Sequence, residues 1–325
     1  MDKLAAMQTF VTIVDSGSFT RAAERLDLPK ARVSQRLRDL ESVLGVRLLE
    51  RSTRALRLTD EGRAYHERCV RMLAEIDEAE QALQGRHGQP QGQLRVEAVA
   101  AIARHVLAPA LHDFRQRYPG MTVRLGSSDR LSHLLEDGID CAIRGGDLPD
   151  SRLVARPVCT VHLGLYASPD CIARHGRPRD PAALADWPRL GWFAPRGGTV
   201  PWRLRREGAE AVDLPGQPAL AFDDGDAAVA AAVGGAGLVV AAPFAVAALV
   251  RAGALQPVLP DWTAGQRAVH VLYPSARQLS ARVRCFADWA IARLRAEPAL
   301  SWSPSELAAQ VMASGSEVPC ETSTR

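Results

Sequence analysis

Residues 18–44 read Ser-Phe-Thr-Arg-Ala-Ala-Glu-Arg-Leu-Asp-Leu-Pro-Lys-Ala-Arg-Val-Ser-Gln-Arg-Leu-Arg-Asp-Leu-Glu-Ser-Val-Leu, and this stretch decides the fold. Ser18 is a good helix N-cap, since its hydroxyl can accept from backbone N–H groups that have no partner inside the helix. Phe19, Ala22, Ala23 and Leu26 then share one face of a short helix, and the adjacent alanines let another helix cross closely. Asp27-Leu28-Pro29 breaks the pattern, because Pro29 disfavours helical geometry at Leu28. A further helix is predicted from about Lys30 to Leu44, with Val33, Leu37 and Leu40 inward and Gly45 as its stop. Its outer face carries Lys30, Arg32, Ser34, Gln35, Arg36 and Arg38, side chains able to reach base edges or phosphates in a major groove. Two helices joined by a short turn, the second bearing such a face, match a helix-turn-helix.

Upstream, Leu4, Met7, Phe10, Val11 and Val14 recur at spacings of three and four and mark the face of a first helix, which Gly17 stops. Downstream, Val46 to Leu49 and Ala55 to Leu58 read as two short strands around a basic tip, Glu50-Arg51-Ser52-Thr53-Arg54. A charged hairpin after the recognition helix is a wing, placed to touch the DNA backbone or minor groove. The candidate contacts to double-stranded DNA are therefore Ser18, Thr20, Lys30, Arg32, Ser34, Gln35, Arg36, Arg38, Arg51, Ser52, Thr53 and Arg54. Charge agrees. The formal net charge is +3, and residues 1–60 hold 11 basic against 8 acidic residues, which leaves 29 of each beyond position 60. The whole excess lies in the first domain, as a polyanion partner requires, although a solvated basic face would fit the charge alone equally well.

Thr59 can cap the next helix, with Asp60 and Glu61 in its positively polarised first turn. Tyr65, Cys69, Met72, Ile76, Ala79 and Leu83 follow at spacings 4, 3, 4, 3, 4, a heptad seam. A helix from Asp60 to Gln84 would be about 37 Å long, and a narrow stripe on so long a helix calls for a partner. Pairing suits two recognition helices that must reach successive major grooves, about 34–36 Å apart. Residues 85–92, rich in Gly, His, Gln and Pro, read as a hinge.

Beyond the hinge, predicted strands (94–99, 121–126, 139–143, 162–167, 219–222, 238–241, 269–273) alternate with predicted helices (108–118, 131–137, 226–233, 244–251, 280–295), the signature of α/β layers. Enzyme chemistry is missing. The only lysines are Lys3 and Lys30, so this half has neither a phosphate-loop lysine nor a Schiff-base lysine. No Gly-x-Ser-x-Gly elbow occurs, and His66-Glu67 lacks a second His at metal spacing. Gly234-Gly235-Ala236-Gly237 follows a helix and precedes a strand, the reverse of a dinucleotide loop. His105, His112, His162 and His270 show no ligand spacing, and the six cysteines are scattered without a C-x-x-C pair. No metal and no cofactor are expected. No apolar run is long enough to cross a membrane and no leader pattern opens the chain, so a cytoplasmic protein is expected. These absences argue against an enzyme with a DNA-binding appendage and against an exported solute-binding protein.

Residues 18–62, from Ser-Phe-Thr-Arg-Ala-Ala through Val-Ser-Gln-Arg-Leu-Arg-Asp-Leu-Glu to Leu-Thr-Asp-Glu-Gly, resemble the winged helix-turn-helix of LysR-type transcriptional regulators. Lys30 stands where that family often has a base-reading Gln, and Leu49 where it usually has Phe. About residues 92–296 resemble the family's periplasmic-binding-protein-like effector domain, through Leu107-Ala108-Pro109, Asp140 to Gly146, Asp223-Asp224-Gly225-Asp226, Gly234 to Leu238 and Val269 to Pro274. The resemblance implies an α/β fold with a winged helix-turn-helix (1–59), a linker and dimerisation helix with hinge (60–91) and an effector domain (92–300); by its Ser-, Glu- and Thr-rich composition 301–325 reads as a disordered tail, in which Trp302 and Leu307 to Met312 could form one short helix. Within the effector domain it implies subdomain I at about 92–164 and 268–300 and subdomain II at about 165–267. It also implies a homodimer assembling to a tetramer, contact with RNA polymerase at activated promoters, and a small-molecule effector in the cleft. Val99, Ala100, Ala101, Ile143, Arg144, Asp224 and Asp226 would line that cleft. Relatives often carry Ser or Thr near position 99 or 100; here the stretch is apolar, so the expected ligand is small and partly apolar, its acidity left open.

Overall fold

A computed structural model describes residues 1–51, 56–83, 90–128, 138–146, 153–193, 198–215, 217–274 and 279–315. The chain divides into two compact units, residues 1–93 and 94–325.

In the first unit, α1 (Lys3–Ser16), α2 (Phe19–Leu26) and α3 (Lys30–Leu44) pack around Phe10, Ile13, Ala22, Val33, Leu37 and Leu40, all fully or nearly fully buried. Asp2 and Ser18 cap α1 and α2 with their side chains. The hairpin pairs β1 (Leu49–Arg51) with β2 (Leu56–Leu58), Glu50 opposite Arg57. Its first strand starts three residues later than the sequence pattern suggests. The Glu41 carboxylate on α3 accepts from the backbone N–H groups of Leu48 and Leu49 (2.8 and 3.3 Å), which holds the chain before it can pair. The long helix α4 (Asp60–Leu83) then leaves the hairpin, with the Thr59 hydroxyl accepting from Gly62 N–H.

The second unit begins with β3 (Gly92–Ala98), the short α5 (Ala100–Ile102), a π-helical turn at Ala103–Leu107, and α6 (Ala108–Arg117). β4 (Met121–Ser127), β5 (Cys141–Gly145) and β6 (Leu153–His162) follow. The chain next builds β7 (Gly164–Ala167), α7 (Pro169–His175), β8 (Leu190–Trp192), β9 (Trp202–Leu204), β10 (Val212–Leu214) and β11 (Leu220–Phe222). It continues through α8 (Gly225–Val233), β12 (Val239–Ala241), α9 (Pro243–Arg251) and β13 (Gln256–Val258). It closes with β14 (Gln266–Pro274), α10 (Ala281–Arg295) and α11 (Pro304–Gly315).

Two halves result, each with its own core. One sheet runs β4-β3-β5-β14-β6, with β3 and β5 parallel and β14 antiparallel to both neighbours. Its core joins Leu94, Val96, Phe114, Val271, Phe286 and Leu294. In the other half, β12-β7-β13 and β11-β8 meet through a parallel bridge between Arg189 and Leu238. The chain passes between halves at Leu163 and again at Thr263–Gly265. These crossings lie side by side, with Leu163 N–H donating to Gly265 O (2.9 Å) and Ala264 N–H to Leu163 O (2.8 Å). The single strand expected over 162–167 is therefore two, since the chain changes sheets at Leu163.

One strand was not anticipated, and one expectation fails. The long β6 was not legible as a strand, because its buried and exposed residues do not alternate. The stretch after residue 300 is not a structureless tail: α11 docks on α9, and Leu307, only 1 % exposed, enters the cluster of Tyr166, Val246, Val250 and Leu255. A reciprocal cap starts it, Ser303 N–H donating to the Glu306 carboxylate (2.6 Å) and Glu306 N–H to the Ser303 hydroxyl (3.2 Å). Gly164 makes room for this helix, as a Cβ there would lie 2.8 Å from Pro304 side-chain carbons. The predicted helix 131–137 lies outside the described residues, as does 316–325.

Candidate nucleic-acid interface and effector cleft

The outer stripe of α3 follows from its core stripe. Val33, Leu37 and Leu40 are buried, so the positions half a turn away point outward: Ala31, Gln35, Arg38 and Ser42, at spacings 4, 3, 4, are all exposed. Lys30 and Arg32 are exposed beside them. On this face the Gln35 amide donates to Asp39 (2.7 Å) while accepting from the Arg38 guanidinium (2.5 Å). The three side chains are thus held as an ordered donor–acceptor array. Arg36 departs from the expected outer face. It sits three residues after Val33 and four before Leu40, on the margin of the core stripe, and its guanidinium donates to the Thr9 hydroxyl of α1 (3.4 Å). Ser34 is half-buried. The Ser18 hydroxyl is engaged in capping Thr20 N–H (3.2 Å), and Thr20 itself is exposed at the start of α2. Arg51 ends β1; Ser52, Thr53 and Arg54 lie outside the described residues. Sequence reasoning missed Ala31 and Ser42, although their spacing with Gln35 and Arg38 was available.

The α4 seam divides in two. Tyr65 and Cys69 belong to this chain's own first domain: Cys69 is 0 % exposed, and the Tyr65 ring lies 6.0 Å from that of Phe10. Beside them His66 Nε2 is 3.3 Å from the Asp15 carboxylate. These two seam positions are consumed by packing on α1, which corrects their assignment to a partner helix. Burial raises the Tyr65 hydroxyl to about 12 and the Cys69 thiol to about 11. Met72, by contrast, is 50 % exposed, and Ile76 is half-buried. The side chains of Ala79 and Leu83 lie outside the described residues.

In the second unit, α5 meets α8 across the two halves. Val99 and Ala101 are half-buried and Ala100 is buried at this junction. Asp224 is the N-cap of α8, accepting from Ala227 N–H (2.8 Å). Asp226 is not a cap. Its carboxylate lies 2.7 Å from the Arg104 guanidinium and 3.1 Å from His105 Nε2, both on the π-helical turn of the other half. The His105 ring also stands edge-on to Phe244 at the start of α9 (6.4 Å). Sequence reasoning missed Arg104 and His105, since nothing in their local pattern marks a contact 121 positions away. Two expected lining residues do not present an open group. Ile143 is fully buried in the sheet core, and Arg144, 6 % exposed, donates to Glu97 (2.5 Å) and to Ser128 O (2.7 Å). Arg144 is committed to an internal ion pair with Glu97.

Among the described residues no cluster of His, Cys, Asp and Glu could hold a metal ion, and no helix is long and apolar enough to cross a membrane.

Comparison with known proteins agrees with both units. Residues 4–63 match the bacterial regulatory helix-turn-helix protein family, lysR, and residues 87–295 match the LysR substrate binding domain. An HTH-type transcriptional repressor of Pseudomonas aeruginosa strain UCBPP-PA14 is 51% identical over 309 residues, 95% of this chain and 97% of that protein. The regulator CrgA of Neisseria meningitidis serogroup C is 34% identical over 289 residues, 89% of this chain and 96% of its own length. Among solved structures, CrgA from Neisseria meningitidis superposes with a TM-score of 0.57 at 33% identity, covering 89% of this chain and 98% of that one. The full-length Vibrio cholerae activator AphB gives 0.56 at 25% identity, with 89% and 99% covered.

Proposed function

The chain belongs to the LysR family of transcriptional regulators, and we propose that it is a repressor whose α3 reads operator DNA and whose two-part α/β unit takes a small effector. The observation that carries the reading is the outer stripe of α3. Gln35 and Arg38, ordered by each other and by Asp39, are the base-reading pair, and Ala31 offers a small apolar contact of the kind a thymine methyl accepts. Lys30, Arg32, Thr20 and the wing residues Arg51, Ser52, Thr53 and Arg54 contact the backbone. Arg36 orients α3 on α1. Ser18 is assigned to capping.

Two copies pair through the distal part of α4, from Met72 through Ile76 to Ala79 and Leu83, and dimers combine to tetramers. Residues 60–91 are the linker, and the two halves of 92–300 are the effector subdomains. Repression follows from operator occupancy, which the likeness to the named repressor supports; contact with RNA polymerase is reserved for any promoter the protein activates. The reading assigns no catalytic step and places the protein in the cytoplasm with the chromosome.

The effector enters between α5 and α8, against Val99, Ala100 and Ala101. The Arg104–Asp226–His105 bridge joins the halves beside it, and an effector that binds the bridged and unbridged arrangements with different affinity shifts the balance between them. Enrichment of duplexes from a random pool tests the reading. It should return a dyad-symmetric site with half-sites about one helical turn apart, or a multiple of it. A pool that gains no sequence preference would overturn it.

A further inference from the structure

Apart from the α5–α8 junction, the second unit holds a groove that the regulator reading leaves unused. It is a half-open concavity of about 580 Å³ between residues 200–207 and residues 263–267. Arg203, Arg205, Arg206 and Arg267 line it, and Glu207 is the sole acidic residue among its lining. The alternation of β9 produces the arginine row: Trp202 and Leu204 are buried beneath it, so Arg203 and Arg205 point out on the same face. Compensation is slight. Arg203 has Asp213 at 3.7 Å, Arg206 lies over the Trp262 ring at 4.9 Å, and Arg267 donates to the Gln266 carbonyl. The backbone of Arg205 pairs with Thr263 in both directions (2.8 Å each), but its guanidinium has no hydrogen bond or ion pair among the described residues.

We propose that this groove is a second ligand site, for a small multivalent anion carrying phosphates or several carboxylates. Four guanidiniums around one concavity repel each other when it is empty, and a planar fork-shaped donor suits both oxyanions. The size fits a small molecule. The place gives the site a consequence. Arg203, Arg205 and Arg206 belong to one half and Arg267 to the other, and Thr263–Gly265 between them is one of the two crossings. An anion held by Arg205 and Arg267 therefore ties the halves together at their hinge, at a site that shares no residue with the effector junction.

Isothermal titration of the full chain with tripolyphosphate and with citrate, at constant ionic strength, tests this. Saturable binding of either probe is expected, and the tighter one identifies phosphate or carboxylate as the preferred group. Arg205→Gln and Arg267→Gln should each weaken it about tenfold, the loss of a charge-assisted hydrogen bond. Arg115→Gln, on α6, should leave it unchanged, and unaltered thermal melts would show that the variants fold. No saturable binding at millimolar probe, or affinity unaltered in both groove variants, would overturn the proposal. So would groove variants that lose DNA affinity while still binding both probes, which would make the groove a DNA contact. The readout needs no operator and no effector, so it succeeds or fails apart from the regulator reading.

Discussion

A single missing carbon sets the junction between wing and linker helix. A Cβ on Gly62 would stand 1.9 Å from the Leu48 carbonyl oxygen, a backbone atom held by Thr59 N–H and unable to retreat. Gly62→Ala should therefore destabilise the first domain by about 1–3 kcal/mol, as overpacking does, and lower its melting temperature; an unshifted melt would contradict the packing described. Cys69 offers a second test at this scale. Its thiol, raised to about 11 by burial, is almost wholly protonated near neutral pH, so native protein should alkylate there far more slowly than unfolded protein. Mass spectrometry of labelled peptides reads this directly, and equal rates would mean Cys69 is not buried. At this scale the sequence was legible where a residue's role is local. Ser18 as cap and Gly45 as stop follow from their own neighbours. Arg36 and Arg144 were misjudged because their partners, Thr9 and Glu97, lie 27 and 47 positions away.

Among the elements, α4 and α11 each carry a lesson about stripes. The heptad seam of α4 is real as a pattern, but Tyr65 and Cys69 already face Phe10, so only the part from Met72 onward is left for a partner. Met72→Glu with Ile76→Glu should leave a folded monomer by sedimentation at micromolar concentration; a dimer that persists would remove α4 from the interface. For α11 a short helix over Leu307 to Met312 was legible, but its start at Pro304 was not. Ser303-Pro304-Ser305-Glu306 is a capping box with proline at the first helical position. Leu307→Ala should cost about 2–5 kcal/mol, the usual loss for a buried leucine. The Ser303 backbone N–H holds the Glu306 carboxyl below its ordinary value. The cap therefore contributes fully above the ordinary glutamate range and weakens as pH falls through the lowered value. Protection of the amides of residues 304–313, taken relative to the intrinsic exchange rate at each pH, should be high at neutral pH and fall in acid, and a pH-independent degree of protection would contradict the cap.

At the scale of the molecule, the α/β class and most helices of the second unit were legible from periodicity, because each such helix lays one apolar stripe on a sheet. The division of that unit into halves came from the family resemblance. Four strands of the second half escaped, β8, β9, β10 and β13, each three residues long, while β7, β11 and β12 fall within the predicted 162–167, 219–222 and 238–241. The bridge between the halves escaped too, because Arg104, His105 and Asp226 meet only after both sheets have formed. Asp226→Asn should loosen that meeting and speed amide exchange at the α5–α8 junction about three- to tenfold, the range for a weakened charge-assisted bond.

The central claim is that the Gln35–Arg38 stripe of α3 reads base sequence. Fluorescence anisotropy should measure affinity for a selected site and for unrelated duplex at fixed salt. With Gln35→Ala and Arg38→Ala combined, the ratio of the two is predicted to fall by about 10- to 100-fold, the value of one or two base contacts. A ratio unchanged from the parent protein would contradict the account.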